Sequence, residues 1–176
     1  NSVFEELPIS AKVKFNLQRY LNKIPRYIYS LQYPEEKVYS IGWPSTSLGK
    51  YLNEEYKKKK FDLLNLHYLA DNTLSIREIG KLKMPIVWRL NDQWPFCSCE
   101  HYSKKRDFKN KIDLNDEYIN DYENNLNLTT KLLDIKRIVW EHKKYYWNRK
   151  INIIAPTNWI ANCAKKSYLF KNQPIN

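Results

Sequence analysis

Apolar positions along this chain alternate between two spacings. From Ala11 to Tyr29, the set Val13, Leu17, Tyr20, Leu21 and Ile24 recurs at helical intervals and predicts one amphipathic helix after a loose start over 1–10. VYSIGW (38–43) predicts a strand, closed by Pro44 and Ser45 to Ser47. Leu48, Tyr51, Leu52 and Tyr56 predict a helix over 48–60. It ends in Lys57 to Lys60, a run that complements the negative end of the helix dipole. FDLLNLH (61–67) is nearly continuous in apolar residues, as expected of a parallel strand covered on both faces. After a loop over 68–74, Ser75 and Glu78 have capping-box spacing and predict a short helix that stops near Lys83, ahead of Pro85. PIVWRL (85–90) is the next strand.

Residues 103–130 are rich in Asn, Lys and Asp without sustained periodicity, and predict a long, partly mobile excursion. Helical spacing returns over 131–148, with Leu132, Ile135, Val139 and Tyr146 on one face and Trp140 and Trp147 flanking. INIIA (151–155) predicts a last strand. Thr157 then caps a helix through Ser167 with Trp159, Ile160, Cys163 and Ala164 as its buried stripe. Residues 168–176 read as the start of a further connection. Strands and helices therefore alternate, which predicts an α/β fold: a parallel, Rossmann-like sheet with helices on both faces and right-handed crossovers.

Composition narrows the class. The chain has 176 residues, of which 43% are hydrophobic and 15% aromatic, enough for one domain with a real core. Residues 1–37 are expected as an N-terminal helical segment of the same domain as 38–176. The formal charge of +11 favours anionic partners without naming one. Lys12, Lys14, Arg19, Lys23 and Arg26 on the first helix allow two readings: a helix on an anionic membrane surface, or one packed on its own domain with a solvated basic face. Three cysteines, two of them only two residues apart, argue against a disulfide framework and fit a reducing, cytoplasmic setting. No stretch of ~18 apolar residues predicts a membrane span.

The stretch that carries candidate chemistry is MPIVWRLNDQWPFCSCEHY (84–102). An apolar strand there spills into polar and aromatic residues, and in open α/β sheets ligands bind beyond the carboxyl ends of strands. Asn91 and Asp92 leave strand geometry readily, and Asp92 can cap the turn that follows. Cys97, Cys99 and His101 alternate, so in an extended segment they would face one side and could hold zinc with a fourth ligand. No second Cys/His pair has metal spacing. Trp94 and Phe96 are expected in the core. Charge and aromatics also suit a basic nucleic-acid-binding module, but no nucleic-acid motif accompanies them, so no specific nucleic acid is expected.

Three blocks carry a resemblance: FDLLNLHYLADNTLSIREIGKLKMPIVWRLNDQWPF, the EHY that follows, and INIIAPTNWIANCAKKSYLFKNQPI. Together they resemble the amino-terminal half of retaining glycosyltransferases of the family-4 type, which have the two-domain GT-B architecture. The family pattern is a strand ending Leu-His-Trp, a Leu-Ser helix start, Pro-Ile-Val-Trp-Thr-Leu-His-Asp-Met-Trp-Pro-Phe, and later Pro-Ser-x-Trp-Leu. Its counterparts here are Leu66-His67-Tyr68, Leu74-Ser75, Pro85 through Phe96, and Pro156 through Ile160, within residues 38–176. The resemblance implies the acceptor-side domain of an enzyme that moves a hexosyl group from a nucleotide sugar to a glycan or lipid-linked acceptor. His67, Tyr68, Asn91 and Asp92 would bind substrate, and no catalytic residue is assigned with certainty.

The same resemblance implies a fragment, inactive alone, with no cofactor of its own. The nucleotide sugar would be held by a carboxyl-terminal half that is not part of this sequence. The departures are specific. Asn91 stands where the family has His, Cys97 through Glu100 replace Thr-Gly-Gly-Cys, and Asp71-Asn72 replace Gly-Gly. The Cys pairs of the family's long loop are missing from 103–130. A cytoplasmic enzyme is implied, peripheral at the inner face of the membrane if the first helix meets lipid.

Overall fold

The computed structural model describes residues 9–21, 23–34, 36, 38–43, 47–69, 73–102, 118–119 and 134–176. In chain order the elements are α1 (Ile9–Leu21), α2 (Lys23–Gln32), α3 (Leu48–Lys57), β1 (Leu64–His67), α4 (Ile76–Lys81), β2 (Ile86–Arg89), α5 (Ile135–Tyr146), β3 (Asn152–Ile154) and α6 (Asn158–Lys166). The fold is mixed α/β. Its open sheet has three strands in the order β1-β2-β3, all parallel. The register pairs His67 with Arg89, and Arg89 with Ile154, so the three strands end together on one rim.

Several expectations change. The helical spacing over 11–29 is met by α1 and α2, which flank position 22, itself outside the described residues. Segment 38–43 is buried at Ser40, Ile41 and Gly42 but is not a strand. Gly42 takes φ +72°, and its carbonyl accepts from Ile76 N (3.0 Å), serving the start of α4 rather than a ladder. β1 is not covered on both faces. Of its four residues only Leu66 is buried, so among the described residues one face of this strand is covered and the other is open. Residues 168–176 turn back to the sheet: Ile175 bridges Ile153 in parallel, with Ala155 N donating to Asn176 O (2.8 Å). Trp159 is exposed, whereas Ile160, Cys163 and Ala164 are buried as expected. The expected excursion over 103–130 lies outside the described residues except at Tyr118 and Ile119.

Local signals hold where they are stereochemical. The Ser75 hydroxyl accepts from Glu78 N (3.1 Å) while the Glu78 carboxylate accepts from Ser75 N (3.0 Å), completing the capping box. Thr157 caps α6 through Ile160 N (3.3 Å). The core is aromatic. Trp88 of β2 meets Trp147, Trp94 and Phe170 at ring separations of 5.2, 6.4 and 6.4 Å. Trp94, Phe96, Trp140 and Trp147 are all buried. α4 approaches α5 so closely that a Cβ on Gly80 would lie 2.1 Å from the Tyr146 carbonyl oxygen.

Polar contacts tie α2 to the start of α5. Lys136 bridges Glu36 (2.9 Å) and Glu100 (2.7 Å), and the Tyr29 hydroxyl donates to Glu36. Burial acts to lower the Lys136 pKa, but the two carboxylates prevail and it stands above the usual lysine range. α1 touches α2, and its Ile9, Val13, Leu17 and Tyr20 are exposed. Among the described residues no helix is long and apolar enough to cross a membrane.

Candidate functional site

Because β1 and β2 are parallel neighbours in register, the residues that follow them meet on one rim. His67 and Tyr68 leave β1 there, and Asn91 and Asp92 leave β2 beside them. The four predicted substrate-binding residues then separate by burial. His67, Tyr68 and Asn91 are exposed, whereas Asp92 is only 7% exposed. The Asn91 amide lies against Arg89; with its oxygen and nitrogen exchanged it accepts from the guanidinium (3.1 Å) and donates to the backbone carbonyl (3.2 Å). Tyr68 holds φ +33°, a left-handed backbone that is costly for a bulky residue.

Asp92 does two things at once. Its Oδ1 accepts from Trp94 N (3.1 Å), the turn cap expected of an Asp at this position. Its Oδ2 meets His101 Nδ1 at 2.6 Å, with both side chains at least nine-tenths buried. Gln93 N donates to the His101 carbonyl (2.9 Å), which closes the loop over 93–101 and brings the imidazole back over the strand end. The His101 ring stacks on Trp94, with centroids 6.5 Å apart and planes at 20°, and Tyr39 meets it edge-on at 5.1 Å. Tyr68 lies at 6.5 Å. Among the described residues, His101 Nε2 and Trp94 Nε1 are buried without a hydrogen-bond partner.

Under the loop sits a fully buried cation. Lys143 reaches from α5 to donate to the carbonyls of Trp94, Cys97 (2.9 Å) and Ser98 (2.7 Å). Its ammonium also lies 3.9 Å from the Trp94 ring centre and 5.0 Å from that of Trp147. Burial pulls its pKa from 10.5 to about 7, against an upward pull from Cys99, Cys97, Glu100 and Asp92. Lys143 follows Val139 by four and Trp140 by three on the apolar stripe, so its position was a signal that the hydrophobic pattern carried and that sequence reasoning passed over. The Asp92–His101 pair had no such signal. The partners lie nine positions apart along the loop, and only the loop's closure joins them.

The zinc set does not assemble. Segment 97–101 is a series of bends rather than an extended strand, so alternation does not put Cys97, Cys99 and His101 on one side. Among the described residues no group of three or more His, Cys, Asp or Glu side chains could hold a metal ion. Both thiols are buried, and burial together with Glu100 raises the Cys99 pKa, away from the thiolate that binds zinc. His101 Nδ1 is taken by Asp92.

No family model matches the chain, and neither a curated protein nor a solved structure matches it.

Proposed function

We propose that this chain is the acceptor-side domain of a two-domain glycosyltransferase of the GT-B type. It would position a glycan or lipid-linked acceptor while a separate nucleotide-sugar domain supplies the hexosyl group. What supports the reading is the meeting of two parallel strand ends, which sets His67 and Tyr68 beside Asn91 and Asp92 on one open rim. Transfer requires an acceptor hydroxyl held against the anomeric carbon and a stabilised diphosphate leaving group. For holding the acceptor, the rim offers hydroxyl, amide and imidazole groups suited to sugar hydroxyls, and exposed aromatic faces at Tyr39, Tyr68 and Tyr102. Stabilising the diphosphate belongs to the partner domain. Calorimetry with UDP and GDP tests the division: residues 1–176 alone should bind either weakly. Tight nucleoside-diphosphate binding by this chain refutes it.

A second reading concerns where the domain works. The exposed apolar stripe of α1, set among basic residues, suits the headgroup layer of an anionic membrane. Flotation with phosphatidylglycerol vesicles, but not with phosphatidylcholine vesicles, is the expected result. Equal flotation with both, or with neither, removes this reading.

A further inference from the structure

The loop that joins Asp92 to His101 leaves an unusual pair of polar atoms inside the protein. His101 is buried, its Nδ1 is held by Asp92 at 2.6 Å, and its Nε2 has no partner among the described residues. When the neutral ring donates Nδ1–H to the carboxylate, Nε2 becomes a lone-pair acceptor that no described donor meets. The ring stacked on it, Trp94, carries the opposite deficit: its Nε1–H donor is buried and also unpartnered among the described residues. A buried donor or acceptor left without a partner is costly, because its desolvation goes uncompensated. An unmet acceptor on one ring and an unmet donor on the ring stacked against it together complement hydroxyl groups, which both donate and accept.

Two further observations point outward from the same place. Tyr39 and Tyr68 lie against the imidazole and are each about half exposed, at 46% and 50%. They therefore connect the buried ring to the surface. Tyr68 also keeps its left-handed backbone, and conformational strain of this kind collects at ligand clamps. We infer that His101, oriented by Asp92, is the ligand-binding acceptor of the rim, and that it takes a hydroxyl of a polyhydroxylated ligand entering between Tyr39 and Tyr68. Asp92 is then a positioning residue rather than a ligand contact. Asn91, paired with Arg89, is secondary. The inference rests on the acceptor-side reading for its ligand class, but its geometry is independent of that reading.

Among the described residues, the charged and titratable groups seen around the ring are Asp92, Tyr39, Tyr68 and, across the Trp94 indole, Lys143. A direct readout is the imidazole nitrogen spectrum of the whole chain, recorded by NMR at neutral pH with glycerol, methyl glucoside and maltose as probes. Nε2 should be the unprotonated nitrogen, and its signal should move saturably with at least one probe. His101→Phe keeps the ring stack and should weaken that probe's binding about tenfold, which corresponds to ~1.4 kcal/mol. His101→Gln, which restores an acceptor, should recover part of it. A proton on Nε2 rather than Nδ1, no response to any of the three probes, or unchanged binding in His101→Phe overturns the inference. If His101→Phe does not fold, the wild-type tautomer and titration decide alone. Tight nucleoside-diphosphate binding would sink the acceptor-side reading yet leave these imidazole signals unaffected, so the two failures are distinguishable.

Discussion

Replacing Lys143 by Met separates two forces that act on the same ammonium. Burial disfavours the charge, whereas three carbonyls and two indole faces favour it. With burial ahead, the folded-state pKa lies at about 7 against 10.5 for an ordinary lysine. Between those values the unfolded chain binds a proton that the folded chain has released. Stability must therefore rise with pH across that window, and the penalty is full only below pH 7. Linkage between the two values makes the gain roughly 2–3 kcal/mol from pH 6 to pH 9. Methionine fills similar volume and cannot titrate.

The quantity to measure is the difference in unfolding free energy between wild type and Lys143→Met, from urea titrations at pH 6, 7, 8 and 9. Groups common to both proteins cancel to first order. The difference should move in favour of wild type by roughly 2–3 kcal/mol over the series, about 5–10 °C in melting temperature for a chain of this size. A flat difference, or one that moves toward the variant as pH rises, refutes the reasoning. It would mean that the carbonyl cage keeps the ammonium charged despite burial.

Gly80→Ala should cost about 1–3 kcal/mol, measured by denaturant melting, because the new methyl meets the Tyr146 carbonyl and α4 must shift off α5. Removing the carboxylate in Asp92→Ala strips both the turn cap and the imidazole partner, and about 3 kcal/mol should be lost; a loss below ~1 kcal/mol would show the pair to be incidental. Thr157→Ala should cost about 1 kcal/mol through the lost cap of α6, with no change in the spectrum of His101. Native protein should leave Cys97, Cys99 and Cys163 unlabelled by a thiol reagent until urea is added, since all three are buried; prompt labelling contradicts the packing.

Some of this protein was written in neighbouring residues. The Ser75–Glu78 box, the Thr157 cap and the apolar runs of β2 and β3 were legible because each depends on contacts within a few positions. The parallel alternation followed from them, and with it the expectation that His67 and Asn91 would share a rim. Other features had no local cause. Whether 38–43 forms a strand depended on what its carbonyls would serve, and Gly42 serves α4. How far β1 is covered depended on tertiary packing against its faces, which its near-continuous apolar run does not record.

The site divides in the same way. Sequence alone determined which residues end the strands, because a polar pair after an apolar run must leave the sheet. Only the tertiary structure decided that Asp92 turns inward to His101, that Asn91 turns to Arg89, and that Lys143 fills the loop between them. Those choices are made by loop closure and burial, where groups far apart in the chain compete for the same few partners. Hydrophobic period records which way a side chain faces, but not what it meets there.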